Sequence, residues 1–251
     1  MSEPTQQIEG RNPVREALRS GRAIRRVLVA EGTTGAPVAE IVRAAERAGV
    51  RVERVARRTL DGMAESRSHQ GVIAEAEEYR YRSWREALEL ARARSETPLL
   101  LAVDGITDPG NLGSLLRSAE AAGAHGVLLS RRRSAPVTPV VAKASAGALE
   151  HLIVDRVPNL PGALADLRAE GVWTVGLAAD ASTSIWGCDL LVEPVVLVVG
   201  AEGKGLSRLV AERADALVSI PLGGQVGSLN AAVAGAVSLF ESVRRRHSGR
   251  M

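Results

Sequence analysis

The second half of the chain carries short, largely apolar runs: LLLAV (99–103), GVLLS (126–130), HLIV (151–154), VWTVGL (172–177), VVLVV (195–199) and LVSI (217–220). Runs of this kind, without polar alternation, are expected of strands buried on both faces of a parallel sheet. Helical stretches at 112–122, 159–170 and 229–246 separate most of them, which predicts an α/β domain with helices on both faces. The first 80 residues have a different rhythm. IRRVLVA (24–30) is β-rich, Pro37 opens a helical pattern that Gly49 stops after Ala48, VRVERV (50–55) alternates, and QGVIAEA (70–76) follows. Residues 1–80 therefore read as a small α/β domain of their own. The charged stretch 81–97 reads as a linker with one amphipathic helix, Trp84 to Ala93, and the second domain spans 98–251. No internal repeat or low-complexity segment is visible.

Composition narrows the class. Hydrophobic residues make up 45% and charged residues 24% of 251 residues, as in an ordinary globular protein. No apolar run reaches the roughly 20 residues a membrane helix needs. The start, MSEPTQQIEG, lacks the basic and apolar regions of a secretory signal, so a cytoplasmic, non-membrane protein is expected. Cys188 is the single cysteine, and His69, His125, His151 and His247 lie far apart, so neither a disulfide nor a metal site is expected. Cys188 reads as a small apolar filler. The net charge of +3 is uneven: residues 8–70 hold 13 arginines against eight acidic residues. Arginine suits phosphate contact, although a compositional bias toward arginine would look the same. With aromatics at 2%, a reader built on base-stacking platforms is disfavoured.

Parallel α/β domains bind ligands beyond the carboxyl ends of their strands. Three such ends carry unusual loops: DGITDPGNLGSLLRSAEAAG (104–123), GAEGKGLS (200–207) and PLGGQVGSLN (221–230). They fail the common nucleotide motifs. Lys204 precedes Gly205 where a P-loop needs Ser or Thr, and Arg208 stands where a dinucleotide fingerprint needs its third glycine. Two glycine-rich loops with Glu202 in one still indicate close backbone approach to a ligand. Taken singly, the polar residues could fill plain structural roles. Asn111 and Ser228 could cap helices starting near Leu112 and Leu229, and Arg117 could be a solvated residue on an apolar helix.

Together, NLGSLLRSAEAAG, GAEGKGLS and IPLGGQVGSLNAAVAG resemble the three signature motifs of the SpoU family of RNA ribose 2′-O-methyltransferases. The resemblance runs through residues 99–246. RRRSAPVT (131–138) and SAGALEH (145–151) look like the branch that modifies a guanosine of 23S ribosomal RNA, and IEGRNPVREAL (8–18) with SHQGV (68–72) looks like that branch's small α/β RNA-binding domain. Where relatives often carry Val-Ser after Ser-Leu-Asn, this chain has Ala231 and Ala232.

The resemblance implies a parallel-sheet catalytic domain with a C-terminal trefoil knot, the cofactor S-adenosyl-L-methionine, a ribosomal RNA substrate and a homodimer. It places the cofactor on Gly200, Gly203, Ile220 and Leu229. It places catalysis on Asn111, Arg117, Glu202, Ser228 and Asn230, with the arginine of one subunit facing the cofactor of the other. Arg117 is expected to act electrostatically, because a guanidinium is effectively never deprotonated in proteins. A transfer-RNA ribose methyltransferase and a resistance-type ribosomal RNA adenosine methyltransferase are the alternatives within the family. A non-catalytic RNA-binding protein and an ordinary nucleotide-binding enzyme are those outside it.

Overall fold

A computed structural model describes residues 5–65, 68–225 and 227–248. In chain order the elements are β1 (Thr5–Glu9), α1 (Arg11–Arg19), β2 (Ile24–Ala30), α2 (Ala36–Arg47), β3 (Arg51–Val55), α3 (Arg57–Met63), β4 (Val72–Glu77) and α4 (Trp84–Ala93). There follow β5 (Leu99–Asp104), α5 (Pro109–Ala121), β6 (Gly126–Ser130), α6 (Pro139–Ala144), β7 (Ile153–Val157), α7 (Leu160–Ala169) and β8 (Trp173–Leu177). The last are β9 (Thr183–Ser184), β10 (Val195–Gly200), α8 (Arg208–Arg213), β11 (Ala216–Ser219) and α9 (Ala231–Ser248).

The chain divides into two compact units. The first comprises residues up to 80 together with 137–151, and the second comprises 81–136 and 152 onward. In the first unit the sheet order is β1-β4-β2-β3. β4 runs antiparallel to β1 and β2, and β2 runs parallel to β3. Val14, Ala17, Val38, Ile41 and Ala45 of α1 and α2 pack on Val27, Val29, Val72 and Ala74 of the sheet. Ion pairs tie its surface, among them Arg26 to Glu53 and Glu75, and Arg22 to Glu150. The segment 137–151 was expected within the second domain. It joins the first unit because α6 packs on β1 and Glu150 binds Arg22.

The second unit holds a seven-stranded parallel sheet in the order β7-β6-β5-β10-β8-β11-β9. Leu99 through Val103 and Val195 through Val199 are almost wholly buried, as expected for its two central strands. Residues 81–97 are more than a linker. Ser83 caps α4 in a capping box with Glu86, and Trp84, Ala87, Leu88 and Ala91 are buried. The first three belong to the core with Leu100, Leu128 and Leu164. Cys188 is buried, and burial pushes its thiol above the ordinary value, in keeping with an inert filler. Among the described residues no group of His, Cys, Asp and Glu could hold a metal ion, and no helix is long and apolar enough to cross a membrane.

Strand order positions the site. β10 comes late in sequence but lies between β5 and β8, so Gly200 pairs in register with Asp104. The loops that follow β5 and β10 therefore emerge side by side. Asp104, buried at the end of β5, accepts a hydrogen bond from the Ser207 amide at 2.7 Å and fixes the far end of the β10 loop.

Candidate functional site

The β10 loop folds back on itself. The Ala201 amide donates to the Gly205 carbonyl at 3.0 Å and the Gly205 amide to the Ala201 carbonyl at 2.8 Å. Gly203 and Gly205 have φ of 74° and 63°, in the left-handed region that glycine enters without steric cost. Gly200 is constrained differently: a Cβ there would lie 2.2 Å from the Gly205 carbonyl carbon and 2.5 Å from the Leu206 nitrogen. The backbone thus doubles over itself with no room for a side chain.

This turn forms one wall of a cavity of about 500 Å³, closed by residues after β8 and β11 and by the start of α9. Gly200, Glu202, Gly203, Ile220, Ser228 and Leu229 all line it. That volume is in the range of small-molecule sites, roughly 300–1,000 Å³. Leu177, Ala178 and Ala179 also line it, and sequence reasoning missed them. Their only signal was a run of small residues after the strand 172–177.

Beside the cavity three polar side chains form a directed chain. The Asn230 side-chain oxygen accepts from the amides of Ala232 (2.9 Å) and Val233 (3.3 Å), the open N–H groups at the start of α9. Its Nδ2 must then donate, and does so to Asn111 Oδ1 at 3.0 Å. Asn111 Nδ2 in turn donates to Glu202 Oε2 at 3.4 Å. A carboxylate only accepts, and backbone amides only donate, so each amide has a single workable orientation. The N-terminus of α9 thereby orients Asn230, Asn230 orients Asn111, and Asn111 holds Glu202.

Neither Asn111 nor Ser228 fills the plain capping role open to it. α5 begins at Pro109, three residues earlier than expected, and its cap is Asp108, whose carboxylate accepts from the Asn111 amide at 2.7 Å. An Asp followed by Pro at the first helical position is a strong start signal. Asn111 therefore sits inside the first turn, its side chain free for Glu202 and Asn230. Likewise Asn230, not Ser228, caps α9.

Arg117 stands apart. It lies two-thirds of a full rotation beyond Asn111 around α5, at about 100° per residue. It is exposed, does not line the cavity, and its side chain makes no hydrogen bond or ion pair among the described residues. The chain thus assembles Asn111, Glu202 and Asn230, adds Ser228 at the cavity wall, and leaves Arg117 outside.

Two family models match this chain. The SpoU rRNA methylase family matches residues 98–240, and the RNA 2′-O ribose methyltransferase substrate-binding model matches residues 7–82. YacO of Bacillus subtilis (strain 168), assigned to the TrmH family of tRNA/rRNA methyltransferases, is 38% identical over 247 residues, 98% of each chain. The SpoU methyltransferase AviRb from Streptomyces viridochromogenes, in complex with AdoMet, superposes with a TM-score of 0.80 at 28% identity, over 98% of this chain and 92% of that one. An AdoMet-bound rRNA methyltransferase from Sinorhizobium meliloti gives a TM-score of 0.78 at 28% identity, over 96% of this chain and 87% of that one. With a family model covering more than half its length and a relative aligned nearly end to end, the chain belongs to the SpoU family of RNA methyltransferases.

Proposed function

We propose that this protein is an S-adenosyl-L-methionine-dependent ribose 2′-O-methyltransferase acting on ribosomal RNA, with a guanosine of 23S rRNA as its target. The observation that carries the activity is the Asn230–Asn111–Glu202 chain beside a cavity walled by the two glycine loops. The cavity fits the cofactor: its volume suits a nucleoside-sized ligand, and the Gly200 wall offers bare backbone at close range. Gly200 and Gly203 would contact it through the main chain, and Ile220 and Leu229 would flank its adenine. Relatives crystallised with AdoMet support the same assignment.

When bound, the cofactor supplies a sulfonium methyl open to displacement by a ribose oxygen. The residues of this chain bring that oxygen into line. Positioning of this kind is worth roughly 7–11 kcal/mol of a bimolecular barrier. Glu202, held by Asn111, offers a fixed acceptor at the cavity edge, and Ser228 and Asn230 complete the cradle for the ribose. The Arg117 guanidinium stabilises the developing alkoxide or orients a phosphate. Its position outside the cavity of its own chain supports a homodimer in which it serves the partner's site. The exposed Val233 and Phe240, seven residues apart and so on one face of α9, support a helix-to-helix interface. The insertion of β10 between β5 and β8, with α9 returning to pack on α5, supports a knotted C-terminal segment. The match of residues 7–82 to a substrate-binding model supports an RNA-selecting role for residues 1–80 in a cytoplasmic enzyme.

The choice of ribosomal over transfer RNA rests on the 131–138 and 145–151 motifs and on the rRNA methyltransferase that aligns over 96% of the chain. Mass-spectrometric mapping of ribose methylation in total RNA, with and without the gene, tests it. One 2′-O-methylguanosine in 23S rRNA should vanish. A loss confined to tRNA would overturn the substrate, and no loss at all would overturn the activity.

A further inference from the structure

A second cleft, of about 370 Å³, opens at the carboxyl ends of β5, β6 and β7 and is lined by Arg132, Arg133, Asn159, Ser207 and Arg208. We propose that it is a phosphodiester-binding subsite that grips the RNA backbone beside the nucleotide being methylated. The proposal rests on the reading of this protein as an RNA methyltransferase and adds a substrate contact on the catalytic unit itself.

Three observations carry it. The first is unspent charge. Arg132 and Arg133 make no hydrogen bond or ion pair among the described residues. Among the described residues Arg208 pairs only with the exposed Glu212, one helical turn away, at 2.8 Å. The one acid in the cleft wall, Asp104, has Oδ2 engaged by the Ser207 amide. Guanidinium groups left open in this way suit phosphate, which they bind through paired N–H donors.

The second observation is rigidity. The turn that carries Arg131–Arg133 is pinned at both ends. The Arg131 amide donates to the Val157 carbonyl at 2.8 Å, the buried Ser134 hydroxyl to the Val103 carbonyl at 3.2 Å, and the Ala135 amide to the Ile106 carbonyl at 2.9 Å. Arg132 and Arg133 thus reach the cleft from a fixed backbone, so no loop has to be ordered when they bind a ligand.

Third, the cleft lies where a substrate strand would need support. Residues 200–203 and Gly205 of the β10 loop line the cofactor cavity, and 207–209 line this cleft, so one loop separates the two. In the sheet order, β6 beneath the cleft is three strands from β8 beneath the cavity, about 14 Å at the usual strand spacing. Asn111, in the first turn of α5, and Glu202, on the β10 loop, follow the two strands between. An RNA backbone held in the cleft would present an adjacent ribose over those two residues.

The test compares full-length wild type with R132A/R133A and with R92A/R94A. The latter removes equal charge from the end of α4, which leads into the opposite end of the sheet. Each is titrated with a 23S rRNA fragment at several salt concentrations, and cofactor binding and melting are measured in parallel. R132A/R133A should bind S-adenosylmethionine and melt as wild type does. Its RNA affinity should fall about tenfold, as expected for lost charge-assisted contacts. Its log–log salt slope should become shallower by about 0.7–0.9 per phosphate released. R92A/R94A should match wild type. Equal affinity and slope in R132A/R133A and wild type, or an equal loss in R92A/R94A, overturns the subsite. A wild type that binds no cofactor and transfers no methyl group overturns the enzymatic reading instead.

Discussion

Gly200→Ala is the sharpest test of the proposed cofactor wall, because its effect follows from distances. The added methyl would sit 2.2 Å and 2.3 Å from the carbonyl carbon and oxygen of Gly205, where ordinary contact begins near 3.4 Å. The Gly205–Leu206 backbone must retreat by about 1 Å, and overpacking of this kind costs roughly 1–3 kcal/mol. The turn cannot absorb the shift locally, since two hydrogen bonds lock Ala201 to Gly205 and a third fixes Ser207 to Asp104. The wall of the cavity should therefore move. Gly171→Ala provides the control. There φ is 82° and a Cβ meets nothing within 4 Å, so the cost is conformational only, about 1–2 kcal/mol. Both variants should melt lower, by about 2–4 °C per kcal/mol for a chain of this size. Calorimetric titration should then separate them: at least tenfold weaker S-adenosylmethionine binding for Gly200→Ala, and wild-type binding for Gly171→Ala. A Gly200→Ala protein that binds as tightly as wild type and melts within a degree of it would refute both the clash and the placement of the cofactor.

Arg117→Ala should leave cofactor binding near normal and lower methyl transfer by about a hundredfold or more, the scale of one preorganised electrostatic group; equal losses in single-turnover rate and cofactor affinity would reassign it. Hybrid dimers of Arg117→Ala with Gly200→Ala should regain some transfer, and failure to do so after verified subunit exchange would count against a shared site. Asn230→Asp keeps the cap acceptor of α9 but loses the donor to Asn111, so its melting point should hold while transfer falls; Asn230→Ala should lose both, with about 1 kcal/mol of stability. Arg246 donates to the carbonyls of Thr97 (2.7 Å), Pro98 (3.0 Å), Leu191 (3.0 Å) and Glu193 (2.6 Å). Arg246→Ala should cost about 1.5–3 kcal/mol in a denaturant melt, with cofactor affinity unchanged in the folded protein.

Strands buried on both faces were the most legible feature, because an unbroken apolar run too short for a helix has to be covered on both sides. Five of the six runs coincide with β5, β6, β8, β10 and β11 to within a residue or two. The sixth, expected at 151–154, begins at Ile153, since His151 and Leu152 belong to the turn before β7. Elements whose stability is not written in their own periodicity were missed. β1 is a mixed sequence, TQQIE, held by pairing with β4 across some 70 residues. α3, α6 and α8 are six or seven residues long, too short for a helical period to show. The candidate site was legible as three motifs but not as geometry. Nothing local in the sequence says that Asn111 and Asn230, 119 residues apart, share a hydrogen bond, because that contact depends on β10 entering the sheet beside β5.

The arginine excess shows the same limit from the other side. Counted along the sequence, residues 8–70 carry five more arginines than acids, and all of them are equal candidates for phosphate contact. In the folded unit they are not equal. Arg15 and Arg19 share Glu16 and Glu40, Arg22 pairs with Glu150, and Arg26 and Arg51 share Glu53. Arg22 is nearly buried in its pair, so removing it would strand Glu150. Arg43, Arg47, Arg57 and Arg58 make no ion pair among the described residues. An RNA-binding role for this unit should therefore rest on α2 and the start of α3. Arg43→Ala/Arg47→Ala and Arg57→Ala/Arg58→Ala should flatten the salt dependence of RNA binding at unchanged melting temperature, whereas Arg22→Ala should lower the melting temperature and leave the slope alone. If both double variants keep the wild-type slope, α2 and the start of α3 do not contact phosphate, and the unpaired arginines of this unit have no role in substrate choice.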